Sequence, residues 1–96
     1  MLHPGIRRSS INIIADILKL LSIAEASKKE IMLAVNIGYY QAQIYLNRLL
    51  KLRLLDEVIE ENRLVSYRVT EKGLKLLSEI ESVQEMCQIG DKDGCQ

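Results

Sequence analysis

Neither phenylalanine nor tryptophan occurs in this 96-residue chain. Any core must be filled by leucine, isoleucine and valine, and the length fits one domain. Apolar residues make up 48% of the sequence, enough for such a core. A chain this short buries a modest share of its surface, and oligomerisation is a common supplement. Long apolar runs are also missing, which excludes a membrane-spanning helix of roughly 20 apolar residues. The opening MLHPGIRRSS has two arginines but no signal-type apolar segment after them, because Asp16 and Lys19 interrupt the next apolar stretch. A cytoplasmic protein without a membrane partner is expected. His3 is the only histidine, so no Ser/His/Asp set forms around a usefully placed imidazole. There is no glycine-rich phosphate loop and no pair of carboxylates in an apolar setting. An enzyme is not expected, nor is a cofactor. Cys87 and Cys95 stand eight apart with no histidine nearby. That spacing fits no zinc site, and two ligands do not close a tetrahedron. It is also a poor framework for a secreted disulfide fold.

Net charge is absent too: 13 Lys/Arg balance 13 Asp/Glu, which argues against a simple polybasic coat for nucleic acid. The distribution is uneven. Residues 1–53 hold eight basic and three acidic side chains; residues 54–96 hold five and ten, so the halves carry +5 and −5. A basic half can face a polyanion while an acidic half faces away.

The pattern along the chain predicts four helices and a hairpin. Ser9-Ser10 is an N-cap signal, and Ile14, Ile17, Leu18 and Leu21 recur at helical spacing, giving a helix over about 10–22. Asn12, Asp16 and Lys19 lie on its outward side. Ser27-Lys28-Lys29-Glu30 fits a capping box and opens a short helix over 28–35. Asn36 and Gly38, both tolerant of positive φ, then supply a tight turn. In a third helix, about 39–52, Ala42, Tyr45, Leu46 and Leu49 converge on one side. Tyr40, Ile44, Asn47 and Lys51 fall opposite, with Gln43 and Arg48 on the shoulders. Tyr39 stands at the boundary, placed to pack. LLDEVIE and LVSYRV, separated by ENR, read as a β-hairpin. Thr70 caps a last helix reaching about residue 87. The expected organisation is a flexible arm (1–8), a winged helix (9–69), a C-terminal dimerisation helix (70–88) and a flexible tail (89–96).

Helix, helix, tight turn, helix, hairpin, helix is the winged-helix plan, mainly α with a small β-hairpin. The second helix braces the third, whose outer face is free to enter a major groove about 12 Å wide. RRSSINIIADILKLL, ASKKEIMLAVNIGYYQAQIYLNRLLKLRLLD and YRVTEKGLKLL resemble archaeal winged helix-turn-helix regulators. They resemble in particular the small dimeric archaeal DNA-binding proteins with a C-terminal coiled coil, often described as chromatin-associated. The resemblance covers roughly residues 7 to 87. It implies double-stranded DNA binding through the third helix and wing, a nucleoid-associated location, and homodimerisation through the last helix. Three positions depart from it. Gly38 stands where a capping serine is usual, Arg53 where glycine often ends the helix, and Ile44 where a polar or basic residue is common.

The candidate reading set is Tyr40, Gln41, Gln43, Ile44, Asn47, Arg48 and Lys51. Gln and Asn pair bidentately with adenine, Arg and Lys reach guanine or phosphate, and Ile44 suits a thymine methyl. Arg7, Arg8, Lys28, Lys29 and the wing-tip Arg63 are candidate phosphate contacts; Lys28 and Lys29 stand at a helix N-terminus, where backbone amides also favour an anion. Glu60 and Glu61 beside Arg63 oppose DNA. On the last helix, Leu74 and Leu77 are expected to face the chain's own core. Leu76, Ile80, Val83 and Cys87 step in the a/d rhythm of a dimer seam, which two heptads do not secure and other surface such as the first helix is expected to extend. Cys87 packs there as a free thiol, with a cross-chain disulfide as the alternative in a hyperthermophile. The alternative function is a winged-helix module that docks on protein and touches no DNA.

Overall fold

Local side-chain chemistry sets where each helix of the computed structural model begins. The structure describes residues 9–62 and 64–90, without the side chains of 87–90. Helix α1 (Ser10–Ile23) starts where the Ser9 hydroxyl accepts from the Asn12 amide. Its buried stripe is Ile13, Ala15, Ile17, Leu18 and Leu21. Helix α2 (Lys28–Val35) opens on the expected capping box: Ser27 Oγ accepts from Glu30 N (3.2 Å) and Glu30 Oε1 accepts from Ser27 N (2.8 Å). It ends on Asn36 in the left-handed region (φ 62°). Helix α3 (Tyr39–Lys51) follows at once, and helix α4 (Glu71–Gly90) runs past the expected end at 87.

Between α3 and α4 lies the wing, strands β2 (Leu55–Ile59) and β3 (Val65–Val69), paired antiparallel from Leu55↔Val69 to Ile59↔Val65. A two-residue strand that the sequence did not signal, β1 (Ala26–Ser27), pairs with β3. The sheet is therefore three-stranded, in the order β1-β3-β2. Two residues carry no alternation, so only the arrival of β3 some 40 positions later defines β1.

The core joins α1, α2, α3 and the sheet through Ile17, Leu18, Ile31, Leu46, Leu49 and Leu55, all essentially inaccessible, and α4 adds Leu77 and Ile80. Truncating one of these to alanine is worth about 2–5 kcal/mol. Helix α1 packs on α4. Their rims are tied by Gln84 Nε2 donating to Asn12 Oδ1 (2.8 Å) and by the exposed Lys19–Glu81 pair (3.6 Å).

Two expectations about α4 change. Leu74 is 44% exposed rather than in the core, and Ile80, expected in a dimer seam, is only 7% exposed within this one chain. The reason is the stance of α4: α1 covers the stripe carrying Leu77 and Ile80. Leu76 is half-buried against the core and Val83 remains open at 58%. The Cys87 side chain lies outside the described residues.

The glycines divide. Gly38 has an extended backbone (φ −79°, ψ 174°) as the N-cap of α3, so the positive φ expected there is not used. Open space surrounds its missing Cβ. Gly73 is different: a Cβ there would lie 2.3 Å from the Leu54 carbonyl oxygen. Gly73→Ala is expected to lower stability by about 1–3 kcal/mol through this overpacking. Gly38→Ser should raise it by a few tenths of a kcal/mol by supplying a capping hydroxyl. Urea unfolding followed by far-ultraviolet circular dichroism checks both.

Tyr67, buried on β3, has its phenol pKa raised, first by loss of solvent and second by its cross-strand neighbour Glu57. The folded state thus favours the neutral phenol. Its contribution is complete below the ordinary tyrosine pKa of about 10 and is lost as pH rises from there through the folded value. The stability difference between the native chain and Tyr67→Phe should therefore be flat below about pH 10 and should fall for the native chain above it.

Candidate nucleic-acid interface

Helix α3 is set by the turn before it. The amides of Asn36 and Ile37 both donate to the Met32 carbonyl, closing α2, and the Ile37 side chain is buried as an anchor. One residue later Gly38 offers its carbonyl to the Ala42 amide (2.9 Å) and α3 begins. Gln41 Oε1 accepts from the Gly38 amide at 3.4 Å, so this member of the candidate reading set also closes the helix start. Ala42, Leu46 and Leu49 bury one stripe of α3, with Tyr45 and Leu50 half-buried beside it. The Tyr45 hydroxyl donates to Ser10 Oγ (3.0 Å), tying α3 to α1.

The opposite stripe is open. Tyr40 is 81% and Ile44 54% exposed, and Asn47, Arg48 and Lys51 are exposed with them. Thirteen residues give α3 a length of roughly 20 Å, and Arg48 and Lys51 in its last turn complement its dipole. No aspartate or glutamate occurs from Ile31 to Leu55, while Arg48, Lys51 and Arg53 do. Arg53, exposed just beyond the helix, adds a cation that helical periodicity did not reach.

Lys28 comes to α3 from the preceding helix. Its ammonium donates to Gln43 Oε1 and lies 3.8 Å from the centre of the Tyr39 ring. Tyr39 meets Tyr40 edge to face at 5.7 Å. Tyr39 was expected to pack inward; it is exposed and serves as the platform for Lys28. No spacing within one helix reports this contact, because its members belong to two. Lys29 is exposed next to Lys28.

The wing has the opposite character. Asp56, Glu57, Glu60 and Glu61 are exposed, and Arg68 is engaged with Asp56 across the strands at 3.8 Å. Ile59 and Leu64 stand out from it. Arg63, with Arg7 and Arg8, lies outside the described residues. Among the described residues no group of three His, Cys, Asp or Glu side chains is placed to hold a metal ion, and no helix is long and apolar enough to cross a membrane.

Comparison with known proteins agrees with this arrangement. A search of curated proteins finds no match to the sequence. Among solved structures, Sso10a-2, a DNA-binding protein from Sulfolobus solfataricus, aligns with a TM-score of 0.79 and 28% identity, over 90% of this chain and 88% of its own. The smu.1704 protein of Streptococcus mutans aligns at 0.80 with 22% identity over 97% of both chains. MepR, a transcription regulator of the Staphylococcus aureus multidrug efflux pump MepA, aligns at 0.71 with 20% identity over 85% of this chain and 64% of its own. The latter two are likenesses of fold. The first agrees with the archaeal resemblance of the sequence. The family model described as winged helix-turn-helix matches residues 7–88, and the chain belongs to that family.

Proposed function

We propose that this chain binds double-stranded DNA as a homodimer, in transcriptional regulation or chromatin organisation, and acts by binding rather than catalysis. The observation that carries this reading is the outer face of α3. It is exposed, free of carboxylates, and furnished with Tyr40, Ile44, Asn47, Arg48 and Lys51. In a helix-turn-helix that face enters the major groove, with Lys29 at the start of α2 beside the backbone. Kinship with Sso10a-2, itself a DNA-binding protein, supports the reading.

The acidic wing favours a second reading, docking on another protein. Salt separates the two. Binding through several phosphates weakens steeply between about 50 and 200 mM salt, because counterions are released. Docking through Tyr40 and Ile44 is much less sensitive. Fluorescence anisotropy with a random-sequence duplex should show the steep dependence. Asn47→Ala with Lys51→Ala should weaken binding and reduce the salt slope by about one phosphate contact. Absence of binding at low salt overturns the DNA reading in favour of protein docking.

Dimerisation is assigned to the surface where α1 meets α4. Ile11, Ile80 and Val83 line an apolar groove there, and Met86 continues it along α4 at 70% exposure. The first helix thus joins the α4 seam, and Ile80 serves mainly the core of its own chain. Val83→Asp with Met86→Asp should convert the dimer into a folded monomer, read by sedimentation equilibrium alongside unchanged circular dichroism. A native chain that sediments as a monomer overturns the assignment.

A further inference from the structure

Lys28 and Gln43 stand 15 positions apart, on α2 and α3, and their side chains are joined by a hydrogen bond. We infer that this pair is a donor-only reading unit that selects guanine, an inference that rests on the DNA-binding reading above. A lysine ammonium has three N–H groups and no lone pair, so the end of the Gln43 amide that meets it is the carbonyl oxygen. The orientation of the amide follows from this chemistry. The ammonium is held from a second side by the Tyr39 ring, which in turn rests against Tyr40. Lys28 is the first residue of α2, at the positive end of that helix's dipole. The ring and the amide oxygen compensate a cation in that place, and its side chain is half-buried where Lys29 is exposed.

The consequence lies in what Gln43 has left. A glutamine reading adenine uses both ends of its amide: the oxygen accepts from N6 and the nitrogen donates to N7. Here Lys28 takes one lone pair of the oxygen, and a base donor seeking the other would have to approach beside the Lys28 ammonium. What the pair then offers a base are the Gln43 Nε2–H bonds and the remaining N–H bonds of Lys28, which are donors. Guanine presents two acceptors, N7 and O6, on its major-groove edge. Adenine presents a donor beside its acceptor, and cytosine presents a donor. Lys28 is thus a positioning residue that changes the base Gln43 is suited to read.

Selection from a randomised duplex library with the full chain tests this. Gln43→Leu identifies the base position that Gln43 reads, as the one whose preference disappears. At that position the native chain should prefer guanine over adenine by about tenfold or more. Lys28→Met, which keeps an apolar stem over Tyr39 but frees the glutamine oxygen, should shift the preference to adenine. Lys28→Arg, again a pure donor, should retain guanine. Thermal unfolding of each variant separates loss of fold from change of reading. Adenine preferred by the native chain, or guanine retained in Lys28→Met, overturns the inference. So does a steeply salt-dependent chain that enriches no base at any position, although DNA binding then stands. No binding even at low salt removes both.

Discussion

The relative stance of α3, the wing and α4 depends on one junction, where the end of α3 meets the start of α4. Arg53 leaves α3 in the left-handed region (φ 64°), a conformation costing a non-glycine residue about 1–2 kcal/mol. It is held there from several directions. Its carbonyl accepts from the Thr70 hydroxyl (2.8 Å), and the same hydroxyl accepts from the Gly73 amide (3.0 Å), capping α4. The Thr70 amide donates to the Leu54 carbonyl (3.1 Å), and Lys72 Nζ donates to the Leu52 carbonyl (3.0 Å). Gly73 lets the backbone of α4 come close enough for this to happen. Three directions are fixed in one place: that of the recognition helix, that of the wing leaving from Leu55, and that of α4.

Those directions decide what each side chain is free to do. With α4 laid against α1, Ile80 belongs to the monomer and only the margin of the groove, Ile11, Val83 and Met86, is open to another molecule. With α3 braced by α2, its outer stripe is exposed and its flank meets Lys28. A recognition helix works when its side chains are held in few conformations before the target arrives, because ordering them on binding costs free energy. The row Tyr40, Tyr39, Lys28, Gln43 has that property: each member has a partner in the unbound chain.

What could be read directly from the sequence was whatever lies within one turn of its cause. The Ser27–Glu30 box announces α2 because both hydrogen bonds span three residues. The buried stripe of α3 is legible because Ala42, Leu46 and Leu49 share a face at helical spacing. Gly38 misled because glycine permits positive φ without requiring it. Strand β1, the covering of Ile80 and the exposure of Leu74 escaped for another reason. They depend on which of two overlapping apolar stripes a distant element covers, and periodicity within α4 is silent on that. The Lys28–Gln43 link has the same non-local origin. In the site, the exposed face was therefore legible, and the chemical state of its members was not.

The acidic wing is the remaining physical question for a chain placed against DNA. Charge is segregated along the sequence, with no net excess, so long-range steering by total charge is absent. What remains is a dipolar arrangement: cations on and around α3, carboxylates on the wing and along α4. Such a molecule is turned by the field of a polyanion so that α3 leads. At physiological salt the Debye length is about 8 Å, so wing carboxylates farther than that from a phosphate are largely screened. Lys51, Arg48 and Lys29, in the direct contact proposed for them, would not be. Attraction at contact range and repulsion at wing range are thus unequal in reach. On the proposed DNA-binding reading, their sum would favour one approach of the protein over the others, and the acidic wing would contribute to orientation as the surface a polyanion repels.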